Sequence, residues 1–189
     1  MAVQSLIKKG KKKWYTISST SHFKEKSLGE TPAYEPERLI GRIVSTSMSN
    51  LTGNIRMQNV KISFKIKEVK DNNALTELVG YEVSSAHIKR IVRPGRDRVD
   101  ASFIKKTKDG VKVVVKPLLL TRFNTHNSVR SELKKKCEEF FDKLFSETDY
   151  NLFISELISN RIHGSMKEFL NKTYPLGGVE IRVMKKIEK

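Results

Sequence analysis

Between Val60 and Lys67 apolar and polar residues alternate without a fault: Val60, Ile62, Phe64 and Ile66 against Lys61, Ser63, Lys65 and Lys67. A period of two puts the apolar set on one face of a strand and the lysines on the other. Asp71-Asn72-Asn73 supplies turn chemistry, so Leu75–Val83 is predicted to pair back, with Gly80 marking a bulge. Trp14–Ile17 and Gly41–Met48 also read as β. The stretch 18–38 between them is rich in Ser, Thr, Gly, Glu and Pro. Its core, Gly29–Pro36, carries two prolines and is predicted to be irregular. Residues 85–93 fit a short helix with Ala86, Ile88, Ile91 and Val92 inward, ended by Pro94-Gly95. Val99–Thr107 and Val111–Leu120 flank Lys108-Asp109-Gly110, a strong hairpin signal, with Pro117 expected to end the ladder or sit at its edge.

The period lengthens at residue 127. Val129, Leu133, Cys137, Phe140 or Phe141, and Leu144 recur at three- and four-residue steps, the mark of an amphipathic helix that Asn127 or Ser128 would cap. A second helix is predicted over 150–159. Gly164 is expected to break the run before a third, over 165–174. Val179, Ile181 and Val183 then alternate with Glu180, Arg182 and Met184 as a final strand. The predicted fold class is α+β: a mostly antiparallel, barrel-like core, C-terminal helices and a returning strand. Residues 14–189 form one domain behind a basic arm, residues 1–13, that is expected to be disordered.

Charge changes this picture from a fold to a function class. The chain carries a net charge of +16 over 189 residues, unevenly spread. The arm holds Lys8, Lys9, Lys11, Lys12 and Lys13 and no acid; residues 85–122 hold eleven Lys and Arg against Asp97, Asp100 and Asp109. Concentrated positive charge draws a polyanion, and nucleic acid is the leading one. Candidate contacts are the five arm lysines together with Lys89, Arg90, Arg93, Arg96, Arg98, Lys105, Lys106, Lys108 and Arg122. The four arginines between 90 and 98 suit forked contacts to phosphate or base edges. Asp97 and Asp100 read as internal counterions. Trp14 and Tyr15 read as core residues at a strand start, with base stacking as the alternative.

Other chemistries find little support. No apolar run approaches the roughly 20 residues of a membrane span, and no secretory signal opens the chain. One cysteine, Cys137, allows no internal disulfide and fits a reducing, cytoplasmic compartment. It falls on the apolar helix face, as a small core thiol would. The four histidines show no metal-ligand spacing, and no phosphate loop, nucleophile elbow or zinc-protease motif occurs. Neither a cofactor nor a metal nor an enzymatic activity is expected.

Several strings in order resemble one family. Lys13-Trp14-Tyr15 follows the lysine run, and Gly29-Glu-Thr-Pro32 precedes Gly41-Arg-Ile-Val-Ser45 and Asn50-Leu51. Lys105-Lys-Thr-Lys-Asp-Gly110, Val113–Lys116, Val129-Arg130, Tyr174-Pro-Leu176 and Val179-Glu-Ile-Arg-Val183 follow. Together they resemble the ribosomal protein family eS-one, also called S-three-Ae, in its archaeal type; the short arm and the lack of a tail after Lys189 match that type. The resemblance departs from the family at Ala101–Ile104, where an acidic-start strand is usual. It implies a non-enzymatic subunit with a β-barrel-like core. Such a subunit binds small-subunit rRNA on the platform, near the mRNA exit and the rRNA 3′ end. Its implied neighbours are the proteins called uS-eleven and, where present, eS-twenty-six, with mRNA a further candidate. A free RNA-binding factor or RNA-acting enzyme is the alternative.

Overall fold

The structure is a computed structural model and describes residues 11–187. The arm through residue 10, with Lys8 and Lys9, lies outside the described residues. Lys11 and Lys12 precede the first strand, and Lys13 already belongs to it, one residue earlier than expected.

Among the described residues nine strands form one sheet. They are β1 (Lys13–Ser18), β2 (Ser27–Ala33), β3 (Ile43–Ser47), β4 (Val60–Lys70), β5 (Asn73–Val83), β6 (Arg98–Asp100), β7 (Phe103–Lys106), β8 (Lys112–Thr121) and β9 (Leu176–Ile187). Five helices accompany them: α1 (Met48–Thr52), α2 (Ser85–Ile91), α3 (Asn127–Glu147), α4 (Tyr150–Ile158) and α5 (Arg161–Asn171). The alternation in β4 holds: Ile62, Phe64 and Ile66 are fully buried. β4 and β5 pair antiparallel from Val60↔Val83 to Lys70↔Asn73. Val79 is skipped between Gly80, opposite Ser63, and Leu78, opposite Phe64, so the expected bulge is present. A side chain at Gly80 would bring its Cβ to 3.3 Å from Ser63 Cβ, which fits glycine there.

The expected barrel does not form; the sheet is open. The far edge of β5 is shared. Residues 73–75 pair with β1, in parallel, and residues 80–82 pair antiparallel with β9. β9 continues to β8, whose other edge is shared by β6 and β7, while β2 and β3 stay at edges. A closed barrel fills its interior from its own strands. Here helices supply the opposing apolar layer, so closure is not needed to bury the sheet. Leu133, Cys137, Phe141 and Phe145 of α3 join Phe153 and Leu157 of α4 and Met166 and Leu170 of α5. They pack in one cluster with Val113, Val115, Ile181 and Met184 of the sheet.

Several local expectations give way to this context. Gly29–Pro36 is regular as far as Ala33, because β2 needs a partner on one side only; Pro32, opposite Trp14, sits on an edge strand that tolerates its missing N–H. Pro117 does not end β8. Its carbonyl accepts from Ala101 N, so its missing N–H falls on the same side, where the facing strand splits into β6 and β7 at Ala101-Ser102. On the other side the register against β9 slips between Lys116 and Pro117, skipping Arg182. That slip reverses the final strand's alternation: Met184 is buried in place of Val183. Ala86 is exposed, leaving Ile88 as the buried anchor of α2. Gly164 lies inside α5. The break falls at Asn160, in the left-handed region at φ +58°, and Ile162, Met166 and Leu170 at four-residue steps hold the glycine helical. Neither Asn127 nor Ser128 caps α3: His126 takes that place without a side-chain bond, and Asn127 Oδ1 accepts from Arg130 instead.

Cys137 is fully buried, with Sγ 4.0 Å from Met166 Sδ, and burial pushes its thiol up to about 12. It therefore stays protonated and inert at neutral pH. A thiol reagent should label the native protein slowly and the denatured protein at once. Cys137→Ala should cost about 1 kcal/mol in chemical unfolding.

Candidate nucleic-acid interface

The helix α2 and the loop after it carry the arginines. The period of α2 buries Ile88 and leaves Lys89 and Arg90 exposed in its last turn. Arg90 Nη2 donates to Asn59 Oδ1 at 3.2 Å. Arg90, Arg93 and Arg96 then line one groove with Ile91, Leu120 and the Gly177-Gly178 start of β9. Arg96 rests against bare backbone: a Cβ at Gly177 would stand 3.3 Å from Arg96 Nη1.

Asp97 fixes the loop between them. Its carboxylate accepts from Thr125 N at 2.7 Å and Thr125 Oγ1 at 2.9 Å, while its own N–H donates to Thr121 Oγ1 at 2.8 Å. The Thr125 backbone bond, with the hydroxyl bond behind it, lowers the Asp97 carboxyl from its ordinary range. Asp97 is thus a hinge pin of the loop more than a counterion to arginine. Asp100 does act as a counterion: it takes Arg98 in a forked pair at 2.6 and 3.1 Å and lies 3.7 Å from Arg182.

The arrangement divides the sequence-selected cations. Arg98 spends its fork on Asp100. Lys105 bridges β7 to α3, 2.9 Å from Glu138 and 2.6 Å from Asp142, and these carboxylates raise its ammonium further, Asp142 first. The hairpin tip is docked as well: Asp109 Oδ2 accepts from Tyr150 N, the first residue of α4, at 3.1 Å. Lys106 and Lys108 remain exposed there. Arg122 is exposed beside the Phe123 ring, 5.8 Å from its centroid. Lys11, Lys12 and Lys13 are exposed at the other end of the sheet, with Lys12 5.4 Å from the Tyr34 ring centroid.

Trp14, expected in the core, is 61% exposed, whereas Tyr15 is buried. The alternation of β1 allows only one of the two to face inward, and the smaller cluster of Ile17, Ala33, Leu39, Ile66 and Ala74 takes Tyr15. Trp14 thus presents an exposed indole beside lysines, a type of group on which unpaired bases can stack. Two further cations escaped the sequence reading. Arg130 and Lys134 line a second, polar groove with Arg98 at the start of α3. Their spacing of four on a helix was the available signal.

Next to Glu180, which lines the arginine groove, His163 Nε2 accepts from Ile181 N at 3.1 Å. Burial pushes its imidazole down to about 4 from an ordinary 6.5. The unfolded chain takes up this proton first as pH falls, so stability is full above about 6.5 and is lost toward 4. Between pH 7.5 and 5 this residue should cost about 2 kcal/mol. Glutamine keeps an acceptor for Ile181, so the loss measured by urea unfolding should be smaller by that amount in His163→Gln. Glu180, whose carboxyl burial raises, titrates in both proteins and cancels from the difference.

Among the described residues no cluster of His, Cys, Asp and Glu could hold a metal ion, and no helix is long and apolar enough to cross a membrane. The chain is similar to known proteins along nearly its whole length. Residues 7–189 match the Ribosomal S3Ae family. Three archaeal relatives each bear the name small ribosomal subunit protein eS1. That of Methanothermobacter thermautotrophicus is 34% identical over 170 residues, covering 90% of this chain and 87% of the relative. That of Nanoarchaeum equitans is 36% identical, covering 87% and 83%, and that of Saccharolobus islandicus is 36% identical, covering 92% and 84%. A family match over residues 7–189 and 34–36% identity to these relatives over most of its length make the chain a member of the Ribosomal S3Ae family.

Proposed function

We propose that the protein is a non-enzymatic structural constituent of the small ribosomal subunit and that it binds small-subunit rRNA. The observation that carries the reading is the groove of Arg90, Arg93 and Arg96, whose loop is pinned by Asp97 before any ligand arrives. Arginines carried on a backbone fixed in advance bind phosphate and base edges with less ordering cost than a flexible chain. Lys89, Lys106, Lys108, Arg122, Arg130 and Lys134 extend the surface. Lys8, Lys9 and Lys11–Lys13 add contacts governed by counterion release. The uncapped first turn of α3 adds N–H donors beside Arg98 and Arg130. Family membership supports a place on the platform near the mRNA exit and the rRNA 3′ end, beside uS-eleven and, where present, eS-twenty-six, with mRNA within reach.

Sucrose-gradient sedimentation of a cell lysate tests the assignment. The protein should travel with small subunits and stay there through a moderate-salt wash. A dominant free pool at the top of the gradient would instead favour a free RNA-binding factor.

A further inference from the structure

A deeper cleft adjoins the arginine groove. It measures about 360 Å³ and lies between α1, the start of β4, β5, α2 and the turn into α5. That volume is at the lower end of the range of about 300–1,000 Å³ usual for small-molecule sites. Its apolar lining comes from Met48, Met57, Val60 and Val83; its polar groups include Asn59, His87 and Glu180. Two links join it to the groove. Glu180 lines both spaces, and Arg90 of the groove donates to Asn59 of the cleft.

Glu180 is out of keeping with its surroundings. Arg56 lines the cleft, and Arg90, Arg93 and Arg96 line the groove, yet among the described residues none of them pairs with Glu180. The nearest ionisable side chain is His163, at 3.7 Å, but it is neutral and its Nε2 already accepts from Ile181 N, so it cannot donate to the carboxylate. A half-buried carboxylate without a donor costs free energy unless a ligand supplies one. It also repels phosphate, so phosphate is not what it is placed to meet.

We propose that this cleft receives one unpaired RNA base whose Watson–Crick edge carries N–H donors, guanine above the others, with Glu180 as the residue that selects it. The inference rests on the RNA-binding reading above and deepens it. Guanine offers adjacent N1–H and N2–H₂ donors, which match the two oxygens of a carboxylate; the other bases offer a single donor group on that edge. RNA is read through splayed, single-stranded bases held by stacking and edge contacts, and such bases cost least to extrude. The flexible thioethers of Met48 and Met57 can pack on a heterocycle. Arg90 and Arg93 stand where the flanking phosphates would run. A lysine or arginine side chain of a neighbouring protein would also satisfy a carboxylate, but four arginines around the two spaces oppose a cationic peptide.

The test uses the full chain and fluorescent RNA pentamers, four adenines around a central G, A, C or U, followed by anisotropy. The wild type should bind the G pentamer about tenfold tighter than the other three, the scale of one bidentate base contact. Glu180→Gln should abolish that preference, bringing the G pentamer to the level of the A pentamer, with thermal melting as the check on folding. Equal wild-type affinity for all four pentamers would overturn the base site, as would a G preference that survives Glu180→Gln. In either case an affinity that falls in Arg93→Ala and with salt would leave the general RNA-binding reading standing. Absence of binding to every pentamer at low salt would sink both. Tighter binding of an arginine-containing peptide than of any RNA, lost in Glu180→Gln, would overturn the base site in favour of a protein contact.

Discussion

Replacing Arg90, Arg93 and Arg96 together by lysine is expected to weaken binding to cognate small-subunit rRNA by about thirtyfold, while binding to random RNA of the same length changes by less than about twofold. The substitution keeps three charges and removes three planar forks. Loss of a single good bidentate contact costs roughly 1–3 kcal/mol, so about 2 kcal/mol for the set is a modest expectation. Arg98 is left out because its fork is closed on Asp100, and its replacement would disturb that pair and Arg182 beyond it. Deleting residues 1–13 should act differently. Those contacts depend on charge, and every residue that binding fixes costs about 1–2 kcal/mol of conformational freedom. Cognate and random RNA should weaken alike, and the dependence of affinity on salt should flatten. Filter binding at two salt concentrations separates the cases. If the arginine-to-lysine protein binds cognate rRNA as the wild type does, the groove contributes charge alone and its geometry is irrelevant.

Phe141→Ala should cost about 4 kcal/mol of folding stability, the middle of the range for truncating a buried aromatic. Phe141 is fully buried on α3. Its ring lies 6.2 Å from Phe103 on β7, 5.7 Å from Phe140 and 5.9 Å from Phe145, which in turn lies 4.8 Å from Phe153 on α4. The side chain thus ties α3 to the sheet, and Phe145 carries the row of rings on to α4, so no neighbour can collapse into the space without leaving another gap. A domain of ordinary stability holds about 5–15 kcal/mol in all. Urea unfolding should show a much lower midpoint, and recovery of the protein from cells should fall with it. Phe140→Ala, at a half-buried position on the same helix, should cost clearly less. Equal losses would mean that the two rings do not divide the inner and outer positions as described.

The contrast between these neighbours shows what could be read from the chain alone. Leu133 and Cys137 fix the phase of α3 well enough to predict a buried aromatic at 140 or 141, but choosing between them needs the direction of the facing strand. The alternation of β4 was legible because its lysines and its apolar residues never mix. β2 was not: Gly29 and Pro32 look like loop residues until a single partner strand makes Pro32 harmless. Pro117 misled for the same reason, since a break in the opposite strand absorbs its missing N–H. The cations were legible as charge, but their employment was not. Lys105 meets Glu138 and Asp142, more than thirty residues away in the chain, and that pairing exists only once α3 lies across β7. Glu180 was read only as an alternating position of a final strand, and its place between two clefts emerged only from the fold.

The parallel contact between β1 and β5 has a consequence for how the molecule opens. β1 and β2 form a hairpin held to β5 through three residue pairs, Thr16↔Asn73 to Ser18↔Leu75, and to the rest through a small cluster around Tyr15 and Leu39, with Phe23 of their connection as the anchor in the main core, 5.8 Å from the Phe64 ring. β8 and β9 instead run side by side from Lys112↔Ile187 to Thr121↔Leu176 over the helices. Local opening follows the least-held unit. The N-terminal hairpin should therefore detach while β8, β9 and α3 stay closed, so its amides exchange with solvent at a lower free energy than theirs. A nascent particle could then receive the arginine-bearing body first and close the hairpin, with Trp14 and the lysines before it, as a later and separately reversible event.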